Sequence, residues 1–351
     1  MIRVTTGGVL KNYRSNLMNS FVTLTKSQNT VLTQRNFNSY AEDPSAATQA
    51  FKLRRSFQRL SSQASVSQSV TSKFNSAWGA LNSVEQALDT SASNSALSAV
   101  LHGASDPTGS GRNSLGAELE QLAENMVQSM NVKYGDTYVF SGADGLTIPF
   151  EWDNGKLLYH GIDVNPDTST AAGAADFAKL QAMAAETTYQ DIGIGMQEDA
   201  SGNLIESSTF DSALSGLNFL GYGVDADGDP KNVACIIKEL GSLLSGCDAD
   251  GNWADPVNDP VDYQRLMGKL ETASDALKSN YTQMDTKAAF LKTNHAQLES
   301  TAATVNEQFL TIEQCDLADA ITAYSWAQYC YNATLKLGTS ILSESLMDYL
   351  R

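Results

Sequence analysis

Two short acidic runs, Asp225-Ala226-Asp227-Gly228-Asp229 and Asp248-Ala249-Asp250-Gly251-Asn252, hold the densest set of possible metal ligands in the chain. Alternating carboxylates suit a calcium loop, but that loop also needs glycine at its sixth position and glutamate at its twelfth. Pro230 and Trp253 stand at the sixth positions, and neither frame supplies the glutamate, so both runs read as acidic turns. His295, with Glu299 one helical turn on, reads as a seam histidine with a surface partner. Cys235, Cys247, Cys315 and Cys330 include no Cys-x-x-Cys pair, and only three histidines could help them hold zinc. Free thiols are expected, with Cys315 and Cys330 used as small buried hydrophobes. No His-Glu-x-x-His, phosphate loop, Gly-x-Ser-x-Gly or dinucleotide fingerprint occurs. The residues make no case for an enzyme and call for no metal or cofactor.

The elements that carry these residues are long helices. Leu317, Ile321, Tyr324, Gln328, Tyr331, Leu335, Gly338, Leu342, Ser345 and Tyr349 step alternately by four and three, the seam of a helix that lies against another helix. Leu10, Tyr13, Leu17, Ser20, Leu24, Ser27 and Val31 form a matching seam at the other end. Both are interrupted by small or polar residues, so each helix is marginal alone and needs neighbours. A third seam runs from Leu266 to Ile312, roughly 70 Å of helix. From Ile312 to Leu317 the step is five, which predicts a hinge near Cys315.

Asp43-Pro44 reads as a helix start, a carboxylate cap followed by proline in the first turn. A helical pattern follows through Leu53, Phe57, Phe74, Leu81 and Leu88, breaks at His102–Gly109, and resumes from about Ser114 to Met130. Phe150-Glu151-Trp152 and Lys156-Leu157-Leu158-Tyr159, joined by Asp153-Asn154-Gly155, read as a hairpin. A short helix is expected near Asn232–Leu244. The expected fold is mainly α with a β-rich insertion, a long helical bundle or coiled coil built from both chain ends. The expected domains are a terminal assembly layer (1–40 with 313–351), a helical bundle (41–135 with 262–312) and a variable surface domain (136–261).

The net charge of −17 is unevenly spread. Residues 1–73 carry ten basic groups against Glu42 and Asp43, whereas 140–262 carry 21 acidic groups against four lysines. The basic residues lie along helical faces without aromatic interleaving, so a solvated face is preferred over nucleic-acid binding. The acidic middle reads as the part that faces water. No run approaches the length of a membrane span, and the first residues lack the apolar core of a cleaved signal peptide.

Several local sequences then fall together. Asn131-Val132-Lys133-Tyr134-Gly135-Asp136-Thr137-Tyr138-Val139-Phe140-Ser141-Gly142, with Pro149-Phe150 and Tyr159-His160-Gly161, resembles the signature of the flagellar hook-associated protein 3 family, the hook–filament junction proteins related to flagellin. Glu42-Asp43-Pro44-Ser45-Ala46-Ala47 is similar to that family's helix start, and Ser345-Leu346-Met347-Asp348-Tyr349-Leu350 to its ending. The resemblance implies an extracellular structural protein at the hook–filament junction, exported by the flagellar type III apparatus without a cleaved signal. It implies self-association in a ring or tubular layer, with hook-associated protein 1 and flagellin as neighbours and a flagellar export chaperone before assembly. Nucleic acid and membrane insertion are not implied. The assembly interface expected on this reading is Leu10, Tyr13, Leu17, Leu24, Val31, Leu317, Ile321, Tyr324, Tyr331, Leu335, Leu342 and Tyr349. Filament flagellin is the alternative, since the final Arg351 is similar to flagellin endings, although flagellins lack the Tyr-x-Phe-Ser-Gly to Pro-Phe segment.

Overall fold

The computed structural model describes residues 6–89, 95–105, 109–248 and 250–349, without the side chains of 6, 109, 110 and 341–349. Long helices come from both ends of the chain: α1 (Thr6–Thr33), α2 (Pro44–Leu88), α3 (Ala96–Ser105) and α4 (Gly109–Met130) precede the insertion, and α8 (Asp259–Glu313) and α9 (Leu317–Tyr349) follow it. The insertion holds the short strands β1 (Lys133–Tyr134), β2 (Thr137–Tyr138), β3 (Ser141–Gly142), β4 (Phe150–Asp153), β5 (Lys156–Tyr159), β6 (Ile162–Asp163), β7 (Tyr189–Gln190), β8 (Phe210–Asp211) and β9 (Leu214–Ser215). Between and after them lie α5 (Ala171–Ala184), α6 (Gly216–Leu220) and α7 (Val233–Ser245). The fold is mainly α, with helices from both termini and a small β-rich insertion. Two compact units are present, one drawn from 1–61 and 299–351 and the other from 62–298.

In the 62–298 unit, α8 buries Tyr263, Leu270, Leu277, Met284, Leu291 and Leu298 at successive seven-residue steps. That spacing keeps one stripe of the helix aimed at its neighbours. From Tyr263 to Leu291 the stripe shares a core with Phe74, Leu81, Val84 and Leu88 of α2 and Leu119, Met126 and Met130 of α4. His295 donates from Nδ1 to the Ala64 carbonyl oxygen at 3.1 Å. It is a seam histidine with a backbone partner.

α7 buries Val233, Ile236, Ile237, Leu240 and Leu244 and packs on α4. Asn232 caps it, its side chain accepting from the backbone N–H groups of Ala234 and Cys235. Gly116 and Gly241 permit the crossing, since a Cβ at 116 would lie 2.6 Å from the Gly241 carbonyl oxygen. β4 and β5 pair antiparallel, Phe150 opposite Tyr159 and Asp153 opposite Lys156. Asn154 and Gly155 turn the hairpin with φ of 48° and 81°, as a tight two-residue turn requires.

Two elements differ from the sequence reading. His102–Ser105 belong to α3 rather than to the break, because Leu97, Ala99 and Val100 are drawn into the core and carry the helix on. α5 lies in a part of the insertion for which the sequence indicates no helix. Its alanine-rich sequence has high helix propensity but little periodic apolar signal.

The α8–α9 break falls between Glu313 and Leu317, where the seam changes phase. It is pinned on the backbone: Asn36 N donates to the Glu313 carbonyl at 2.9 Å, and Cys315 N donates to the Gln34 carbonyl at 3.2 Å. The Asn36 side chain donates to the carbonyls of Ile312 and Gln314. Gln34, with φ of 54°, turns the chain out of α1 at this point.

Candidate assembly interface

The acidic run at 225–229 is occupied by the protein's own cations. Lys269 Nζ lies 2.5 Å from Asp225 and 3.0 Å from Asp227, and also bonds Asp229. Arg265 donates from Nε and Nη2 to the two oxygens of Asp229, at 2.7 and 3.0 Å. The Arg265 hydrogen bond, with help from Lys269, holds the Asp229 carboxyl down at about 2 against the effect of burial. The Lys269 ammonium, despite burial, is pushed above its ordinary range by the three aspartates. The run is therefore an ion-paired brace from the 225–229 loop to α8, more constrained than the solvated turn the sequence suggests. All four cysteines are free thiols, and burial pushes the Cys235 thiol up to about 12, which makes it a poor nucleophile.

The terminal helices present a different kind of surface. α1 and α9 lie antiparallel: Tyr13 rests on Gly338, the Ser20 and Thr334 hydroxyls share a 3.4 Å hydrogen bond, and the Gln34 carbonyl meets Cys315 N. The Phe21 and Tyr331 rings stand 6.0 Å apart. Tyr13, Leu17, Leu24 and Val31 are half-buried on α1, as are Tyr324 and Tyr331 on α9. Leu10, Leu317, Ile321 and Leu335 remain on open faces. The side chains of Leu342 and Tyr349 lie outside the described residues.

The inner face of α9 is a ladder that hydrophobicity alone does not flag. It runs Ala320, Tyr324, Ala327, Tyr331, Thr334, Gly338, with spacing four-three-four-three-four and small residues at the closest approaches. It shares Tyr324, Tyr331 and Gly338 with the seam read from sequence but takes Ala320, Ala327 and Thr334 in place of Ile321, Gln328 and Leu335. Small residues let two backbones come close, yet they remove little apolar area from water. Several large side chains point elsewhere. Trp326 is 68% exposed, Tyr329 66% and Leu337 61% on α9, and Met18, Val22 and Leu32 are likewise exposed on α1.

Where α1 ends and α8 gives way to α9, Glu313 is buried and bridges two arginines. Its Oε1 lies 3.0 Å from Arg35 Nη2 and 2.9 Å from Arg54 Nη2. Arg54 also lies over the Phe309 ring, 4.8 Å from its centroid. At the start of α2, Asp43 Oδ1 accepts from Ala46 N at 2.9 Å, one residue pair beyond Pro44.

Residues 4–144 match the family described as the bacterial flagellin N-terminal helical region. The chain has a flagellin-type fold. A protein of Vibrio parahaemolyticus assigned as a flagellar hook-associated protein is similar in structure, with a TM-score of 0.54 at 16% identity, covering 77% of this chain and 99% of that one. FlgL of Xanthomonas campestris gives a TM-score of 0.48 at 14% identity, over 74% of this chain and 99% of that one. FlgL of Bacillus cereus gives 0.43 at 13%, with the same two coverages. None of the curated proteins matches the sequence. This flagellin-type chain thus pairs its two terminal helices partly through small residues and leaves several large apolar side chains exposed on both.

Proposed function

We propose that this protein is a structural subunit of the bacterial flagellum that joins hook to filament, polymerising through its terminal helices into a ring or tubular layer. One observation carries the reading. The α1–α9 pair leaves much of its apolar surface uncovered: Ala320, Ala327, Thr334 and Gly338 alternate with Tyr324 and Tyr331 on the inner face of α9, while Trp326, Tyr329 and Leu337, with Met18, Val22 and Leu32 of α1, are exposed. An isolated pair of this kind buries too little apolar area to offset the entropy of ordering its helices. Neighbouring subunits supply the missing cover, so ordering of the arms and assembly are coupled. Each large side chain covered in this way contributes roughly 1.5–3 kcal/mol.

On this reading 1–40 and 313–351 form the assembly layer, 41–135 with 262–312 the bundle, and 136–261 the surface domain. The neighbours in the layer are hook-associated protein 1 on the hook side and flagellin on the filament side. An export chaperone covers the exposed arms before assembly, and export proceeds through the flagellar type III apparatus. The match over 4–144 and the flagellin-type fold support the flagellar assignment.

Deletion of the gene tests it. Hooks without filaments, with flagellin shed into the medium, are expected of a junction protein. A filament flagellin, the second reading suggested by Arg351, would leave the junction in place and remove the filament subunit itself, with none shed. Unchanged filaments would overturn both.

A further inference from the structure

We infer that the 62–298 unit carries a binding cleft for a small, uncharged aromatic molecule of two fused rings, between α8 and the segment 217–236. The inference stands apart from the assembly reading, because no part of the cleft lies on the terminal helices. Leu217, Tyr222, Pro230 and Ile236 line it from the segment, and Ala273 and Ala276 from α8, around about 540 Å³. The space exists because α8 turns Leu270 and Leu277 into the core and shows only Thr272, Ala273 and Ala276 between them on this side. Backbone hydrogen bonds hold the opposite side in place: Gly223 N donates to the Val164 carbonyl at 2.8 Å, and Lys231 N to the Gly223 carbonyl at 2.9 Å. Gly221, with φ of 84°, lets the chain pass close to its return strand, since a Cβ there would lie 2.6 Å from the Lys231 carbonyl oxygen. The Tyr222 ring is backed by Phe177, centroids 5.8 Å apart.

A preformed, mostly apolar cleft with a few polar groups at its edge is the usual form of a small-molecule site. Volume and charge then narrow the ligand. A cavity of about 150 Å³ already holds benzene, so this one takes a larger ring system. The charged residues at the cleft disfavour ions of both signs. Lys269 is engaged by Asp225, Asp227 and Asp229 together, so a carboxylate entering beside it would face three aspartates. Lys231 is exposed and solvated, and returns little to such an anion. An ammonium would instead meet Lys231 and Lys269, with Asp225 already paired. Either ion would lose water to an apolar lining that gives nothing back. An uncharged ring system pays no such penalty, and the Tyr222 ring offers it an aromatic neighbour.

Calorimetric titration of the full chain with 2-naphthol, uncharged at neutral pH, tests the cleft. 2-Naphthoate and 2-naphthylmethylammonium carry the same rings with a charge of either sign, and both should bind about tenfold more weakly or worse. In the nitrogen-15-labelled native chain, 2-naphthol should shift amide signals of 217–236 and 269–276. Ala276→Trp, at an exposed position, should fill the cleft and weaken 2-naphthol about tenfold or more. Ala289→Trp, equally exposed on α8 but outside the cleft, should leave binding unchanged. Absence of binding, amide shifts elsewhere in the chain, or equal binding of either charged analogue would overturn the site. So would equal affinity in the Ala276→Trp and native chains. None of these results bears on the flagellar reading, which the gene deletion tests separately.

Discussion

The ring of Tyr13 on α1 lies directly on the backbone of Gly338 on α9. A Cβ at 338 would stand 1.9 Å from the Tyr13 hydroxyl oxygen and 2.2 Å from Cζ, so the glycine is the space that the ring fills. Gly338→Ala should push the half-buried Tyr13 out of the groove and weaken the helix pair by about 1–3 kcal/mol. Faster proteolysis of both ends in the purified chain would register it, and Tyr13→Ala in the same chain should restore part of the loss. Equal protection in all variants would show that the contact has no structural weight.

The outward leucines give a sharper test of the arms. Leu335 is exposed in the single chain, so Leu335→Asp costs that chain little. Placed against a neighbour, the same carboxylate would be buried without a partner, which costs several kcal/mol. The variant should fold normally by circular dichroism yet fail to enter the flagellum and abolish motility. Normal swimming would refute the role given to the arms.

Glu313 ties the end of α8 to the exit of α1 and to α2 at one point. Glu313→Ala removes both ion pairs and leaves the half-exposed Arg35 and Arg54 in water, at a cost of about 1–3 kcal/mol to local order. Amide exchange should accelerate at 34–36 and 312–316, with the 62–298 unit unaffected. Exchange spread evenly over the chain would rule out a local clasp.

The aspartate brace predicts a pH dependence. The Asp229 carboxyl, at about 2 in the folded chain, lies below the ~3.9 of an unfolded aspartate. Its contribution is therefore complete above about pH 4 and disappears as the pH falls toward 2. The native chain should lose thermal stability across that window more steeply than Asp229→Asn, which at neutral pH should already be about 1–2 kcal/mol less stable. Parallel slopes for the two would remove Asp229 from the acid transition.

At the α4–α7 crossing, Gly116→Val should destabilise the 62–298 unit by about 1–3 kcal/mol or more, because its Cβ would meet both the Gly241 carbonyl and the Ser245 hydroxyl. The midpoint of thermal unfolding measures this directly. An unchanged midpoint would mean that the helices can separate at no cost.

Local rules made much of the architecture readable. The seven-residue recurrence of Leu270, Leu277, Met284 and Leu291, the Asn154-Gly155 turn, the short helix near Asn232–Leu244 and the phase slip after Ile312 each depend on residues close in the chain, so spacing and turn chemistry define them. Which face of α9 meets α1 was decided by tertiary structure alone. Spacing selects the bulky ladder through Leu317, Ile321 and Leu335, whereas close approach of two backbones selects the small one through Ala320, Ala327 and Gly338. Shape complementarity between distant segments carries no periodic signal of its own. The same holds for Asp225, Asp227 and Asp229, whose counter-ions Arg265 and Lys269 come from a helix about forty residues away. Ion pairing at that separation exists only once the chain has folded.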